Sequence, residues 1–193
     1  MRQVLLSVLL LPAFFFTIAL LTGCATKDTW QGAEAEKSYD KQLEQIRLTA
    51  IINNDDYYEI HRENRIYVLS DAKEYMEFLL SGEIPLRLTE IGAGPNGETV
   101  VFAIAKPESK KNKGFGSVEM FKGRREGAAK SFYAEIHRNN RYQVFGDWAS
   151  FDAFRKTGQT SGSATDSGPK GEPVVLTPAS PELMARFKSL HTN

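Results

Sequence analysis

Two stretches of this chain repeat one another, which restricts the fold to one in which two similar units pack together. Residues 57–82 read YYEIHRENRIYVLSDAKEYMEFLLSG and residues 133–158 read YAEIHRNNRYQVFGDWASFDAFRKTG, and they align without a gap at an offset of 76. The match resumes, after a two-residue deletion, with GPNGETVV from Gly94 and GPKGEPVV from Gly168. Two matching stretches in the same order indicate an internal repeat.

Each copy begins with a pattern that predicts a β-hairpin. Two short β-prone runs, EIHR and then RIYVL or RYQVF, flank Glu63-Asn64 in one copy and Asn139-Asn140 in the other. Asn tolerates the positive φ that a two-residue hairpin turn requires. Alternation predicts one shared face in each hairpin, formed by Ile60, Ile66 and Val68 in the first copy and by Ile136, Tyr142 and Val144 in the second.

A helix is predicted after each hairpin. Asp71 is a suitable N-cap with Glu74 three residues later, and Asp147 holds the equivalent position. Gly82 and Gly158 stand where a left-handed residue would end the helix. In the first copy PLRLTEI, a GAGPNGE turn and TVVFAIA then predict a second hairpin, so that the module is ββαββ.

The second copy departs from this plan. In place of the third strand stands TSGSATDS, whose lack of apolar residues predicts a mobile loop, and Pro181–Leu190 predicts a closing helix. Modules this small and without disulfides are marginal alone. We therefore expect an α+β fold in which two tandem ββαββ-type repeats pack as a pseudo-two-fold domain, with the second copy partly degenerate.

These patterns divide the chain into five segments. The expected boundaries are a signal peptide at 1–23, a tether at 24–56, repeat module 1 at 57–105, a basic connector at 106–131, and repeat module 2 with its C-terminal helix at 132–193. Within the tether, apolar side chains at helical spacing fit either a short amphipathic helix or a half-ordered spacer.

The N-terminus has the features of a secretory signal. Arg2 is the only charged residue before Lys27, and the run VLLSVLLLPAFFFTIALLTG lies between them. A basic start, an apolar run and small residues at its end are typical of such a signal. The run is also long enough for a retained membrane anchor, but Pro12 within it removes a helix hydrogen bond.

Leu21-Thr22-Gly23-Cys24 resembles the lipobox of bacterial lipoproteins. The resemblance implies cleavage before Cys24 and lipid on its thiol, so that acyl chains hold the mature protein on a membrane. Ala25 stands where an aspartate usually retains such proteins at the inner membrane, which implies the outer membrane, with the protein facing the periplasm. Because Cys24 is the only cysteine, we expect no disulfide and no cysteine metal site.

Composition and motifs argue against several classes of function. Removal of Arg2 with the signal leaves 23 basic and 24 acidic residues, a balance that does not favour nucleic-acid binding. The letters GxGxxG at Gly92–Gly97 precede a strand rather than a helix, which predicts a hairpin turn and no nucleotide cofactor. No GxSxG nucleophile motif occurs. We therefore expect no catalytic residue and no cofactor.

The histidines leave one question open. His61 and His137 are equivalent positions of the repeat, predicted in the same exposed register as Glu59 and Glu135. They would be solvated strand residues, or a metal site if the pseudo-two-fold brought them together. Because nothing in the pattern supplies further ligands, no metal site is predicted.

Two basic groups are the candidates for partner binding. From Lys106 to Lys130 the connector has eight basic and three acidic residues beside several glycines, which fits either a flexible solvated linker or a surface for anionic headgroups or acidic proteins. Arginines flank both hairpin turns, either as an anion-binding surface or as ordinary turn charges. The candidate residues are Arg62, Arg65, Arg138, Arg141, Lys110, Lys111, Arg124 and Arg125.

The lipobox, followed by tandem copies of EIHR-x-NR…V…D…F…G and GPxGE, resembles small envelope lipoproteins that are immunity partners of secreted phospholipase effectors, particularly type VI phospholipase D toxins. This resemblance implies a non-enzymatic inhibitor that binds a secreted toxin and occludes it, with the membrane contacted through the N-terminal lipid. The alternative is a general envelope lipoprotein that binds anionic lipid or glycan through its basic connector.

Overall fold

A computed structural model describes residues 55–127, 130–160, 162 and 164–191, together with residues 37 and 41. The predicted signal peptide, Cys24 and all of the tether except residues 37, 41, 55 and 56 lie outside the described residues. No helix in the described part of the chain has the length and apolar character needed to cross a membrane.

The described residues form a single sheet with helices. The strands are β1 Tyr57–Arg62, β2 Arg65–Leu69, β3 Arg87–Glu90, β4 Thr99–Ala103, β5 Ala134–Arg138, β6 Arg141–Phe145, β7 Ala164–Ser167 and β8 Pro173–Thr177. The α-helices are α1 Ala72–Ser81, α2 Gly116–Phe121, α3 Trp148–Thr157 and α4 Pro181–His191, and a 3-10 turn covers Lys106–Glu108. The prediction of a fold that mixes helices and strands is confirmed.

The sheet is mixed, and its strand order is β3-β4-β2-β1-β5-β6-β8-β7. The two halves meet where β1 runs parallel to β5, with Tyr57 opposite Ala134 and Ile60 opposite His137. Outward from this seam, each half continues with an antiparallel hairpin partner, then a parallel strand, then an antiparallel edge strand. Each half therefore repeats the same pairing pattern around the β1–β5 seam.

Both predicted hairpin turns are present. Glu63 and Asn64 have φ of 54° and 58°, and Asn139 and Asn140 have φ of 54° and 55°. Positive φ at both central residues matches the right-handed twist of the flanking strands, which explains the short turn. The GAGPNGE segment is likewise the predicted turn, since it joins the antiparallel strands β3 and β4.

The predicted shared faces of the hairpins are wrong. The turn pairs Arg62 with Arg65, so that Ile60 lies opposite Tyr67 while Ile66 lies opposite His61. Cross-strand partners share a face, so Ile60 lies on the other side of the sheet from Ile66 and Val68. In the second hairpin Ile136 is separated from Tyr142 and Val144 in the same way. Alternation could not reveal this, because both faces of each hairpin are covered.

Helices cover the sheet on both sides, which produces two cores. We call the side with α1 and α4 the α1 face, and its core includes Tyr58, Tyr75, Tyr133, Val144 and Phe187. The side with α2 and α3 is the α3 face, and its core includes Tyr57, Val68, Met120, Phe145 and Phe151. Strands buried on both faces become apolar along their whole length instead of alternating.

The predicted helix ends are confirmed. The carboxylates of Asp71 and Asp147 accept hydrogen bonds from the backbone N–H groups of Glu74 and Ser150, at 3.0 and 2.8 Å. Each thereby satisfies one N–H that the first turn of a helix leaves free. Gly82 and Gly158 end these helices with φ of 72° and 70°, a conformation that costs glycine little. The predicted closing helix is α4.

The segment predicted as a flexible basic connector is folded into the domain. The buried Glu108 carboxylate accepts from the N–H of Gly116 at 3.1 Å, and the Ser117 hydroxyl donates to the Ala103 carbonyl at 2.6 Å. Val118 and Met120 are buried in the core of the α3 face. These apolar residues anchor the segment, and its net positive charge gave no indication of them.

Two further expectations are corrected at the edges of the domain. The predicted mobile loop of the second copy contains β7, which pairs with β8 through a register irregularity. An edge strand needs backbone hydrogen bonds on one side only, so weakly apolar residues suffice. Asp56, placed at the end of the tether, is fully buried and accepts from the Tyr133 N–H at 3.0 Å.

Candidate functional site

The candidate site is a cavity of about 340 Å³ on the α3 face, which we call the α3-face cleft. It opens between the β1–β5 seam and helices α2 and α3. Its lining residues are Glu59, His61, Ile66, Ala93, Pro95, Phe121, Ile136, Arg138, Phe154, Arg155 and Gly158. A few polar groups among mostly apolar walls are typical of a ligand-binding cavity of this size.

A carboxylate is held inside the cleft. The side chain of Glu59 is only 12% exposed, and the Nε2 atom of His61 lies 2.6 Å from its Oε1 atom. The hydroxyl of Tyr57 donates to its other oxygen. Burial, and then the neighbouring Glu59 charge, raise the pKa of Tyr57 well above its usual range, so Tyr57 acts as a neutral donor.

Arg155 connects the two helices beside the cleft. Its guanidinium, projecting from α3, donates to the carbonyl oxygens of Met120, at 2.5 Å, and Phe121 at the end of α2. It also lies over the rings of Tyr57 and Phe151, at 5.9 and 5.6 Å from their centroids. These contacts fix the last turn of α2. They also hold the Arg155 guanidinium in one position beside the cleft.

Two arginines of the second hairpin lie where the cleft meets an adjoining cavity, a position that we call the mouth of the cleft; Arg138 lines the cleft itself and Arg141 only the adjoining cavity. Arg138 and Arg141 face each other across β5 and β6. Arg138 also lines an adjoining cavity of about 380 Å³ that Arg141 and Gln143 line with it. Like charges directly opposite on a sheet are unfavourable unless an anion approaches. This pair therefore makes the mouth a favourable place for a carboxylate or phosphate.

A buried amide oxygen lies beside these arginines. Oε1 of Gln143 is buried and has no hydrogen-bond partner among the described residues. A buried acceptor without a partner is unfavourable by about 1–3 kcal/mol. A bound group with a hydrogen-bond donor would remove this penalty, and in the flipped orientation, which places the amide NH2 group here, a bound acceptor would remove it.

The remaining arginines of the predicted set lie away from the cleft. Arg62 lies over the rings of Tyr67 and Phe78 on the α1 face, at 5.5 and 5.6 Å from their centroids, and Arg65 is its exposed partner across the first hairpin. The structure therefore does not bring the two arginine pairs of the repeat together.

Most of the predicted connector residues are engaged in ion pairs within the domain. Lys111 pairs with Glu108 at 3.2 Å and Arg124 with Glu119 at 2.6 Å. Arg125 pairs with Asp55. Lys110, the fourth predicted connector residue, is exposed. None of these four residues lines the α3-face cleft.

The α1 face contains a counterpart that sequence reasoning missed. Glu135, equivalent to Glu59, is only 1% exposed, although it was predicted to be solvated. Its carboxylate accepts from the hydroxyls of Tyr133, at 2.6 Å, and Tyr75, and Nε2 of His191 lies 2.8 Å away. A tyrosine stands two residues before each glutamate and therefore lies on the same face of the strand. This spacing was the one sequence signal that the glutamate has a hydroxyl donor beside it.

The two repeat histidines lie on opposite faces of the sheet and do not meet. His61 lines the α3-face cleft, whereas His137 stacks on Tyr142 of the α1 face with ring centroids 4.2 Å apart. Burial lowers the pKa of His137, which favours the neutral imidazole. Within the described residues no group of three or more His, Cys, Asp or Glu side chains is placed to hold a metal ion.

Comparison with known proteins gives no function for the cleft. The chain matches no protein-family model, no curated protein and no solved structure. Among the described residues that line the cleft there is no serine, threonine or cysteine to act as a nucleophile. Its parts are apolar walls, a held carboxylate and a cationic mouth, a combination suited to recognising a group that has both apolar and charged atoms.

Proposed function

We propose that this protein is a non-enzymatic binding protein, held at the outer membrane by lipid on Cys24 and facing the periplasm. In this proposal it is an immunity or inhibitor protein that neutralises a secreted phospholipase-type effector by binding and occluding it. The observation that carries the proposal is the α3-face cleft, with Arg138 and Arg141 at its mouth and Glu59 within it. Arginines beside an apolar pocket are typical of the residues that dominate protein interfaces.

We further propose that the two halves are tandem ββαββ repeats related by a pseudo-two-fold axis. Outward from the seam the order is β1, β2, β4, β3 on one side and β5, β6, β8, β7 on the other, and both hairpins have the same turn. An axis parallel to β1 and β5 would keep these strands parallel and place α1 and α3 on opposite faces. Such an arrangement supplies a rigid surface at which a partner can dock without reordering.

The alternative, an envelope lipoprotein that binds anionic lipid through its basic connector, has less support. Lys111, Arg124 and Arg125 already pair with carboxylates of the domain. Binding an anionic headgroup would compete with these pairs, whereas Arg138 and Arg141 take part in none of the ion pairs found among the described residues. The cleft is therefore the better candidate for the binding surface.

Protection of cells from an effector tests this proposal. A type VI phospholipase D effector from the same strain would be directed to the periplasm with and without this protein, and survival measured by colony counts. We expect the unaltered protein to restore survival, and the Arg138→Ala, Arg141→Ala double variant to restore at least tenfold less. The matched control is Arg62→Ala with Arg65→Ala, the same change at the equivalent pair away from the cleft.

The outcomes separate the components of the proposal. Equal killing with and without the unaltered protein would rule out the immunity function. Equal loss of protection in both double variants would show that the arginines act through general charge rather than through the cleft. Loss of vesicle binding in a Lys110, Lys111, Arg124 and Arg125 to Ala variant, with protection retained, would favour the lipid-binding alternative.

A further inference from the structure

Glu59 and Glu135, the equivalent glutamates of the two copies, differ in which residues cover them. Glu135 accepts a hydrogen bond from helix α4, since Nε2 of His191 lies 2.8 Å from its carboxylate. Phe187 and His191 of the same helix pack on Tyr142, with ring centroids 5.2 and 5.1 Å apart. The last turns of an amphipathic helix therefore fill this position on the α1 face, with apolar contacts and one donor to the carboxylate.

Among the described residues, no helix fills the corresponding position on the α3 face. Helix α2 follows β4 as α4 follows β8, but it has six residues where α4 has eleven. It ends at Phe121, which forms part of the cleft wall. Phe151 stands where the α1 face has Tyr75, so Glu59 also lacks the counterpart of that hydroxyl. Tyr57 and His61 are the donors to Glu59 among the described residues.

An open acceptor in this place has a chemical consequence. A carboxylate oxygen has two lone pairs, so a carboxylate with two donors retains capacity for more. Removing it from water is favourable only when donors replace the water. Ile66, Ile136 and Phe154 line the cleft with small exposed areas, and within the described part of the chain no helix corresponding to the last turns of α4 lies against them. Within the described part of the chain, the cleft thus has no counterpart of the apolar contacts and the donor that α4 supplies to Glu135.

We propose that the α3-face cleft receives an amphipathic helix of the protein partner, with a lysine, arginine or histidine of that helix bound to Glu59. The inference rests on the proposed function and assigns both the docking site and the chemistry of the docked segment. Carboxylates on the same helix would meet Arg138 and Arg141 at the mouth. Helix docking into an apolar groove is a recurring mode of recognition, with contacts spaced one helical turn apart.

Calorimetry with the full-length lipoprotein in detergent and the purified effector tests the inference. Ala93 is exposed and lines the cleft, so Ala93→Trp should obstruct it without removing a core contact. We expect this variant and Glu59→Gln each to weaken binding at least tenfold, which is about 1.4 kcal/mol. The matched control is Ile91→Trp, in the same turn but outside the cleft, which should bind like the unaltered protein.

Cross-linking identifies the docked segment. Ala93→Cys carrying a photoreactive maleimide should attach to one amphipathic helix of the effector that contains a lysine, arginine or histidine. Attachment to an extended segment, or displacement of the effector by phosphoethanolamine or by phosphatidylethanolamine vesicles, would overturn the inference in favour of another occupant.

The two proposals fail in different ways. Absence of binding by the unaltered protein would overturn the immunity function together with the helix inference. Normal binding by both Ala93→Trp and Glu59→Gln would overturn only the inference about the cleft. Circular dichroism and thermal unfolding of each variant establish that a loss of affinity reflects the cleft and not the fold.

Discussion

Glu59 and Glu135 each lie two residues after a tyrosine and directly before Ile-His-Arg, yet their environments differ in the folded protein. Sequence reasoning placed both in a solvated register, whereas Glu135 is buried under α4 and Glu59 lies within a cleft. The pattern of a single strand reveals which side chains share a face, but not what covers that face. The covering residue of Glu135 is His191, 56 positions away, and no local pattern relates the two.

Glu74 should make the stability of the domain depend on pH. Its Oε1 atom accepts from the Lys106 N–H at 3.1 Å, while its Oε2 atom is buried and has no hydrogen-bond partner among the residues that the structure describes. Burial, and then the nearby Asp71 charge, raise the pKa of Glu74 from 4.5 to about 7. The folded-state pKa lies above the unfolded value. The contribution of Glu74 to the free energy of unfolding is therefore fully present below pH 4.5, and it is lost as the pH rises through 7.

Glu74→Gln removes this dependence. When the pH is raised from 5 to 8, the free energy of unfolding of the variant should increase relative to that of the unaltered protein. The expected difference is about 1 kcal/mol after allowance for partial solvent screening. Urea unfolding at the two pH values, followed by circular dichroism, measures the difference. Parallel pH profiles for the two proteins would contradict this account of Glu74.

At the scale of single elements, the parts specified by local chemistry were predictable. The hairpin turns, the Asp71 and Asp147 caps and the closing glycines depend on a few adjacent residues, and all have the predicted conformation. Strand β7 and helix α2 were missed because tertiary contacts stabilise them. Strand β7 is held by pairing with β8, and α2 by burial of Val118 and Met120.

The hairpin turns provide a test at this scale. Asn140 has φ of 55° in the two-residue turn. A left-handed conformation costs most residues about 1–2 kcal/mol, and a β-branched side chain is among the least tolerant. Asn140→Val should therefore lower the free energy of unfolding by about this amount in urea titrations, whereas Asn140→Gly should preserve or raise it.

The equivalent change in the first hairpin serves as a comparison. Asn64 has φ of 58°, so Asn64→Val should destabilise the domain to a similar extent. A valine that left stability unchanged at either position would show that the turn adopts another conformation in solution.

At the scale of the whole molecule, the arrangement of the halves follows from the parallel β1–β5 seam. The repeat predicted that two similar units pack together, but not that their helices would lie on opposite faces. That arrangement decides the candidate site, since it places Glu59 and Glu135 on opposite sides of one sheet and gives α4 access to only one of them. The candidate arginines were named from sequence, but their separation into a pair at the cleft and a pair away from it required the fold.

Lipid on Cys24 should determine how well the molecule protects the cell. If lipid on Cys24 holds the cleft at the membrane that a phospholipase attacks, tethering raises the local concentration of inhibitor without any added contact. A Cys24→Ser form exported as a soluble protein should bind the effector with unchanged affinity in calorimetry, because the substitution lies far in sequence from the cleft residues. At matched periplasmic amounts, measured by immunoblot, it should nevertheless restore at least tenfold fewer colonies than the lipidated form. Equal survival would mean that the lipid determines only the location of the protein, and weaker binding by the soluble form would mean that the anchor or its flanking residues contribute to the interface.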